Sequence, residues 1–370
     1  MDFLLHLPFA SYVSFALTMA VSILLVLTKS WHGPYSMDVT VGIQKFHIHP
    51  TPRIGGLAVV AGVLSAFMTS SPERQAFLGP LVLAGLPAFL FGLAEDVTKQ
   101  VSVLTRLLAT MFSGALGWFF TGVSITHVDL PLVDLLLANV FISVLFTSFA
   151  IAGISNAINL IDGFHGLASG MVVLGLAGIA WIAMHVGDIN LAYACVAIAA
   201  AMFGFFVVNW PLGKIFLGDG GSYFAGFSLA WLSILLVERN THVSPFSSLL
   251  ICIYPVTEVL FSVYRRKLKH VHPGQPDKQH LHSLIMRRYI RRRLPERLQN
   301  PATGLLLALM TLPAVLVAFY AHESAALSAA ACCLFALGYV SIYARIVRHH
   351  WCSPISFLFI KPAPFSSLRS

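Results

Sequence analysis

Long apolar runs recur from one end of the chain to the other, separated by short polar intervals. Eleven stand out, at 9–28, 54–71, 76–94, 102–120, 135–153, 167–185, 190–208, 222–238, 246–264, 303–321 and 324–346. Crossing the hydrocarbon layer of a bilayer takes roughly 20 apolar residues. The pattern therefore predicts an all-α fold, a polytopic transmembrane helix bundle of about eleven helices. No fixed period relates one run to another, which argues against solenoids and repeat-built transporters. The first run, Phe9 to Leu27, is preceded only by Asp2 and His6 as polar residues. It is expected to stay as a helix and not to be cleaved as a signal peptide.

Composition agrees with the pattern. Of 370 residues 57% are hydrophobic and only 10% charged, against about 25% charged in soluble domains. A single integral membrane domain, 1–370, is expected. The 23 Lys and Arg residues outnumber the 15 Asp and Glu, yet no basic stripe with interleaved aromatics points to nucleic acid. Orientation in the bilayer accounts for the excess. All but Arg74 and Arg239 of the basic residues fall in or beside alternate loops on one side. The positive-inside rule then puts the N-terminus outside and the C-terminus in the cytoplasm. Cytoplasmic loops 29–53, 95–101, 155–166, 209–221 and 265–302 would form one polar face. Five cysteines, none in a CxxC pair, suggest neither a disulfide framework nor a zinc site.

That face holds the unusual polar segments: HIHPTPRIGG (47–56), GLAEDVTK (92–99), NAINLIDGFHGL (156–167), PLGKIFLGDGGS (211–222) and PDKQHLHS (276–283). Glu95, Asp96, Asp162 and Asp219 all stand at expected helix ends. One such acid is most simply a solvated cap. Four facing one compartment repel each other unless a cation is present, and magnesium, a hard ion preferring oxygen ligands, is the simplest. The turn GDGGS offers backbone N–H groups and a positive helix end to a phosphate, or is merely a tight turn. Phe216 could stack on a base or anchor the interface. Asn156, Asn159 and Asp162, at i, i+3 and i+6, share roughly one helical face. They could contact a ligand's polar edges or bond between helices. His280 and His282, two apart, suit an extended segment that hydrogen-bonds phosphate or is simply solvated. The basic run Arg287 to Arg297 fits topology and lipid headgroups.

Taken together, the motifs resemble the polyprenyl-phosphate N-acetylhexosamine-1-phosphate transferases, relatives of the phospho-MurNAc-pentapeptide translocase, over about residues 45 to 285. HPTPRIGGLA is similar to the family's first cytoplasmic loop. Glu95 and Asp96 stand in the place of its paired aspartates, and Asn156, Asn159 and Asp162 match its Asn- and Asp-rich loop. Asn209, Phe216 and Asp219 fall where the family has an amide, a uracil-stacking aromatic and a magnesium ligand. Glu258 stands where Asp is usual, and PDKQHLHS resembles the histidine loop. Three positions depart from the pattern: Glu95 for Asp, His165 for a second Asp after DG, and Ser283 for His.

The resemblance implies transfer of HexNAc-1-phosphate from a UDP-sugar to undecaprenyl phosphate with release of UMP, initiating cell-surface glycan synthesis. Asp219 would bind Mg2+, with Mn2+ as the alternative. Glu95, Asp96, Asp162, His280 and His282 would be catalytic, and Arg53, Asn156, Asn159, Asn209 and Phe216 would bind nucleotide sugar and phosphate. UDP-HexNAc, undecaprenyl phosphate and membrane lipids are the implied partners, at the cytoplasmic face of a bacterial inner membrane. A homodimer is compatible with the sequence, which does not set the oligomeric state. The short PTPRIGG form leans toward GlcNAc, GalNAc or a deoxy-amino sugar. The rival readings are a secondary transporter of an anionic metabolite and a non-catalytic lipid-phosphate-binding paralogue.

Overall fold

The computed structural model describes residues 8–38, 50–270 and 279–348. His47 to His49, Pro276 to Lys278 and the chain beyond 348, all parts of the expected cytoplasmic face, lie outside the described residues. The fold is 81% helical. Its helices are α1 (Phe9–Leu27), α2 (Lys29–Ser36), α3 (Gly55–Met68), α4 (Pro72–Thr98), α5 (Val103–Thr121), α6 (Pro131–Leu137), α7 (Val140–Ile161), α8 (Leu167–His185), α9 (Ile189–Asn209), α10 (Gly218–Arg239), α11 (Pro245–Ile251), α12 (Ile253–Leu268), α13 (Leu281–Ile285), α14 (Glu296–Met310), α15 (Leu312–Tyr320) and α16 (Ala325–Arg348). A wide π-type turn, Met286–Ile290, follows α13.

Among the described residues nine helical segments are long and apolar enough to cross a membrane, and α11 with α12 forms a tenth, bent by 81°. Ten of the eleven expected runs correspond to these segments, and the run 54–71 falls on α3. The one too short to be counted is α3, with 14 residues.

α10 is the axis of the bundle. Every residue from Gly218 to Val237 is buried, and α3, α4, α5, α7, α8, α9 and α11 pack around it. A helix enclosed on all sides should be apolar all round. The first turn of α10 instead carries Asp219 and Ser222, so polar partners must reach it from neighbouring helices. Close approach of those neighbours depends on Gly92 of α4, where an added Cβ would lie 2.6 Å from the Asp219 carbonyl carbon.

α7 differs most from expectation. The run 135–153 predicts a helix ending before the asparagines, whereas α7 begins at Val140, capped by Asn139, whose Oδ1 accepts the Phe141 and Ile142 N–H groups, and continues to Ile161. Asn156 and Asn159 do not end it because groups on α10 satisfy their amides, leaving no need for water. In the bent passage, Pro255 lies just past the break and has no N–H to give the Ile251 carbonyl, which interrupts the helical ladder there. The apolar run 246–264 concealed this break.

The end of the bundle remote from Asp219 is closed by paired polar groups. Arg239 holds Asp188 at 2.6 Å, Asn190 donates to Glu73 at 2.9 Å, and Thr126 donates to Glu238 at 2.7 Å. A cavity of about 690 Å³ opens beside the first two pairs. Its charged groups are already engaged, Arg239 with Asp188, Glu73 with Asn190 and Arg74 over the Tyr193 ring, which makes it a poor candidate for the chemistry the sequence anticipates.

Candidate active site

The first turn of α10 has no capping side chain of its own. Its N–H groups, which would cost free energy if left bare in an apolar interior, are met by carboxylates from elsewhere. Asp96, in the last turn of α4, accepts the Asp219 N–H on Oδ1 and the Gly220 N–H on Oδ2, both at 2.9 Å. Asp162, which caps the C-terminus of α7, faces the Gly218 N–H. Burial pushes the Asp162 carboxyl well above the usual carboxylate range, opposed by the Arg53 guanidinium. Gly218 has φ +76°, and a Cβ there would run into the Arg53 carbonyl oxygen and lie 2.6 Å from Asp96 Oδ2. Only glycine fits.

The Asp219 side chain projects from this capped end into a ring of donors. Arg53 Nη2 donates to Oδ1 at 2.8 Å, Asn159 Nδ2 donates to the same oxygen at 3.0 Å, and Arg106 of α5 pairs with Oδ2. Arg53 is carried there by a two-residue antiparallel ladder, β1 (Met37–Asp38) with β2 (Thr51–Pro52). It is 26% exposed, whereas Asp96 is 1% exposed and its Oδ1 lies 3.7 Å from Arg53 Nε. The Arg106 guanidinium also stands 5.7 Å from the centre of the Tyr223 ring, a cation–π arrangement. The Tyr223 hydroxyl in turn donates to Asn156 at 3.2 Å.

A second group of residues surrounds the loop 162–166. His165 lies beside Phe216, ring centroids 5.8 Å apart, and the two half-buried rings form an aromatic surface next to Asp162. The His165 N–H bonds to Asn300 Oδ1 on α14 at 2.7 Å. Phe164 meets the His282 ring edge-on at 5.5 Å. His280 and His282 stack at 5.2 Å above Glu258 of α12, and His280 Nδ1 lies 3.0 Å from Glu258 Oε1. The loop therefore links the ring of donors around Asp219 to the histidines.

Residues 78–237, which run from α4 through α10 and include Asp96, Arg106, Asn159, Asp162, Phe216 and Asp219, match the glycosyl transferase family 4 model. The chain is 31% identical over 244 residues to a probable undecaprenyl-phosphate N-acetylglucosaminyl 1-phosphate transferase of Bacillus subtilis (strain 168), covering 66% of this chain and 68% of that protein. The chain belongs to glycosyl transferase family 4. Similar relatives are the undecaprenyl-phosphate alpha-N-acetylglucosaminyl 1-phosphate transferases of Yersinia pestis, 29% identical with 66% and 68% covered, and of Escherichia coli (strain K12), 30% identical with 66% and 67% covered.

In this family 4 transferase the expected residues are disposed in different ways. Arg53, Asn159 and Asp219 meet directly, and Asp96 and Asp162 join them through the start of α10. Asn156 is one residue removed, through Tyr223. Glu95 turns away: its Oε2 accepts the Val101 N–H at 2.8 Å, closing the turn between α4 and α5. Asn209 is committed to backbone, accepting from Gly166 at 2.6 Å and donating to the Ile215 carbonyl at 2.7 Å. It braces two loops of the site. Sequence reasoning missed Arg106, although a single charge inside an apolar run is itself a signal of function. It also missed Tyr223, which looks like any other aromatic residue of a buried helix.

Among the described residues no three acids or histidines form a metal cage. Magnesium, however, commonly binds proteins through one or two carboxylates and takes its other ligands from water and phosphates. Asp219, with Asp162 nearby, fits that mode.

Proposed function

We propose that the chain moves HexNAc-1-phosphate from a UDP-sugar to undecaprenyl phosphate at the cytoplasmic face of a bacterial inner membrane. The observation that carries this reading is the convergence of Asp219, Arg53, Arg106 and Asn159 at the capped start of a buried helix. Family membership and the similarity to named sugar-1-phosphate transferases support it. An oxygen of the lipid phosphate attacks the β-phosphorus of the UDP-sugar. The bond from that phosphorus to the bridging oxygen breaks, and UMP leaves. Phosphoryl transfer depends chiefly on position and charge neutralisation. Arg53 and Arg106 neutralise diphosphate oxygens, Phe216 and His165 receive the uracil, and Asn156 and Asn159 hold the amide and carboxylate network in place. Asp96 acts through α10, fixing the direction in which Asp219 projects. Bound at Asp219, with Asp162 in support, Mg2+ would supply charge stabilisation at the phosphates.

UDP-GlcNAc labelled with 32P in the β-phosphate tests the reaction. Purified protein with Mg2+ and undecaprenyl phosphate should move the label into the organic phase and release unlabelled UMP. Label left in water, or released as UDP, would refute this bond cleavage.

A further inference from the structure

We infer that Glu258 is a positioning residue for the histidine pair, fixing which nitrogen of His280 carries hydrogen and supplying the counter-charge beneath it. Glu258 is 1% exposed, and His280 and His282 are 3% and 4% exposed. Glu258 Oε1 lies 3.0 Å from His280 Nδ1 and also accepts the Leu281 N–H at 3.1 Å. Oε2 lies 3.9 Å from His282 Nδ1. An ionised carboxylate can only accept. His280 Nδ1 must therefore donate, which places its hydrogen on the Glu258 side and fixes the orientation of the ring. The backbone bond from Leu281 holds the carboxylate and the histidine segment in one register, so the ring direction is set from two sides.

Charge gives Glu258 its second role. A carboxylate this deeply enclosed needs a compensating cation, and the two imidazoles are the cations that act on it among the described residues. The rings stack with their planes 12° apart, so two imidazoliums would repel. A single carboxylate beneath them, reaching toward both Nδ1 atoms, is the counter-charge such a pair requires. The cluster holds both imidazoles in one orientation beside the loop 162–166. The bend at Cys252 places Glu258 under the histidines, which gives the kinked passage a use in the site.

The catalytic part of this inference rests on the proposed sugar-1-phosphate transfer; the positioning part does not. Selective 15N-histidine NMR of the full chain in detergent reads the positioning directly. His280 should show a protonated Nδ1 in wild type and in Glu258→Asp, and lose that signature in Glu258→Gln. With undecaprenyl phosphate and UDP-GlcNAc, kcat should fall about 10- to 100-fold in Glu258→Gln and recover in part in Glu258→Asp. The double variant Glu258→Gln/His280→Gln should be no slower than His280→Gln alone. Thermal unfolding of each variant identifies any loss of fold, and Glu258→Asp keeps the comparison interpretable if Glu258→Gln unfolds. An unchanged His280 spectrum in Glu258→Gln, or losses that multiply in the double variant, would overturn the inference. Inactivity of wild type would instead count against the transfer reaction, with the NMR result still standing.

Discussion

Arg106 shows most clearly how a single side chain shapes this site. Its guanidinium is shared between the Asp219 carboxylate and the face of Tyr223, so it is held in place before any phosphate arrives. Arg106→Gln should lower kcat/KM about 100-fold, the usual scale for removing one preorganised donor. Arg106→Lys should restore only part of this, because an ammonium lacks the planar fork. Steady-state kinetics decides, and unchanged rates would make the ion pair purely structural. Gly218→Ala forces a side chain into a left-handed backbone position against Arg53 and Asp96; activity and thermal stability should fall together. That Asp219, Asp162 and Phe216 would stand together at one end of the bundle was legible in the sequence, because their types are unusual at the ends of apolar runs. Arg106 was not, since it stands inside such a run, and the backbone bonds of Asn209 were hidden because an amide that braces backbone looks like one that binds a ligand.

At the scale of elements, the site depends on a buried helix that cannot cap itself. Asp96 provides two acceptors for two adjacent N–H groups. Asp96→Asn would keep the shape but turn one acceptor into a donor, leaving an N–H opposed at a cost of about 1–3 kcal/mol. Thermal unfolding in detergent should show the loss, together with reduced transfer. An unshifted unfolding transition would remove Asp96 from the capping role. The same packing explains where the sequence misplaced an element. Polar residues mark a helix end only when water must solvate them, and Asn156 and Asn159 find Tyr223, Asp219 and Ser222 instead. The break between α11 and α12 was equally hidden, since Pro255 and Cys252 lie within an unbroken apolar stretch.

For the whole molecule, apolar run length was sufficient to foresee a helical membrane bundle, and charge bias suggested its orientation. The folded chain adds that the candidate site's polar groups gather at one end of α10 while the opposite end is closed by an ion pair and hydrogen-bonded carboxylates. If the positive-inside reading holds, a membrane-impermeant maleimide added to intact cells should label Ser71→Cys but not Lys214→Cys in a cysteine-free background. The reverse pattern would invert the protein. All of these expectations lead back to Asp219, the carboxylate around which Arg53, Arg106 and Asn159 are arranged. The most direct measurement compares wild type with Asp219→Asn for Mg2+-dependent transfer of labelled GlcNAc-1-phosphate to undecaprenyl phosphate. The account expects lipid-linked product from wild type and a loss of at least about 100-fold in the variant; equal transfer by the two would contradict it.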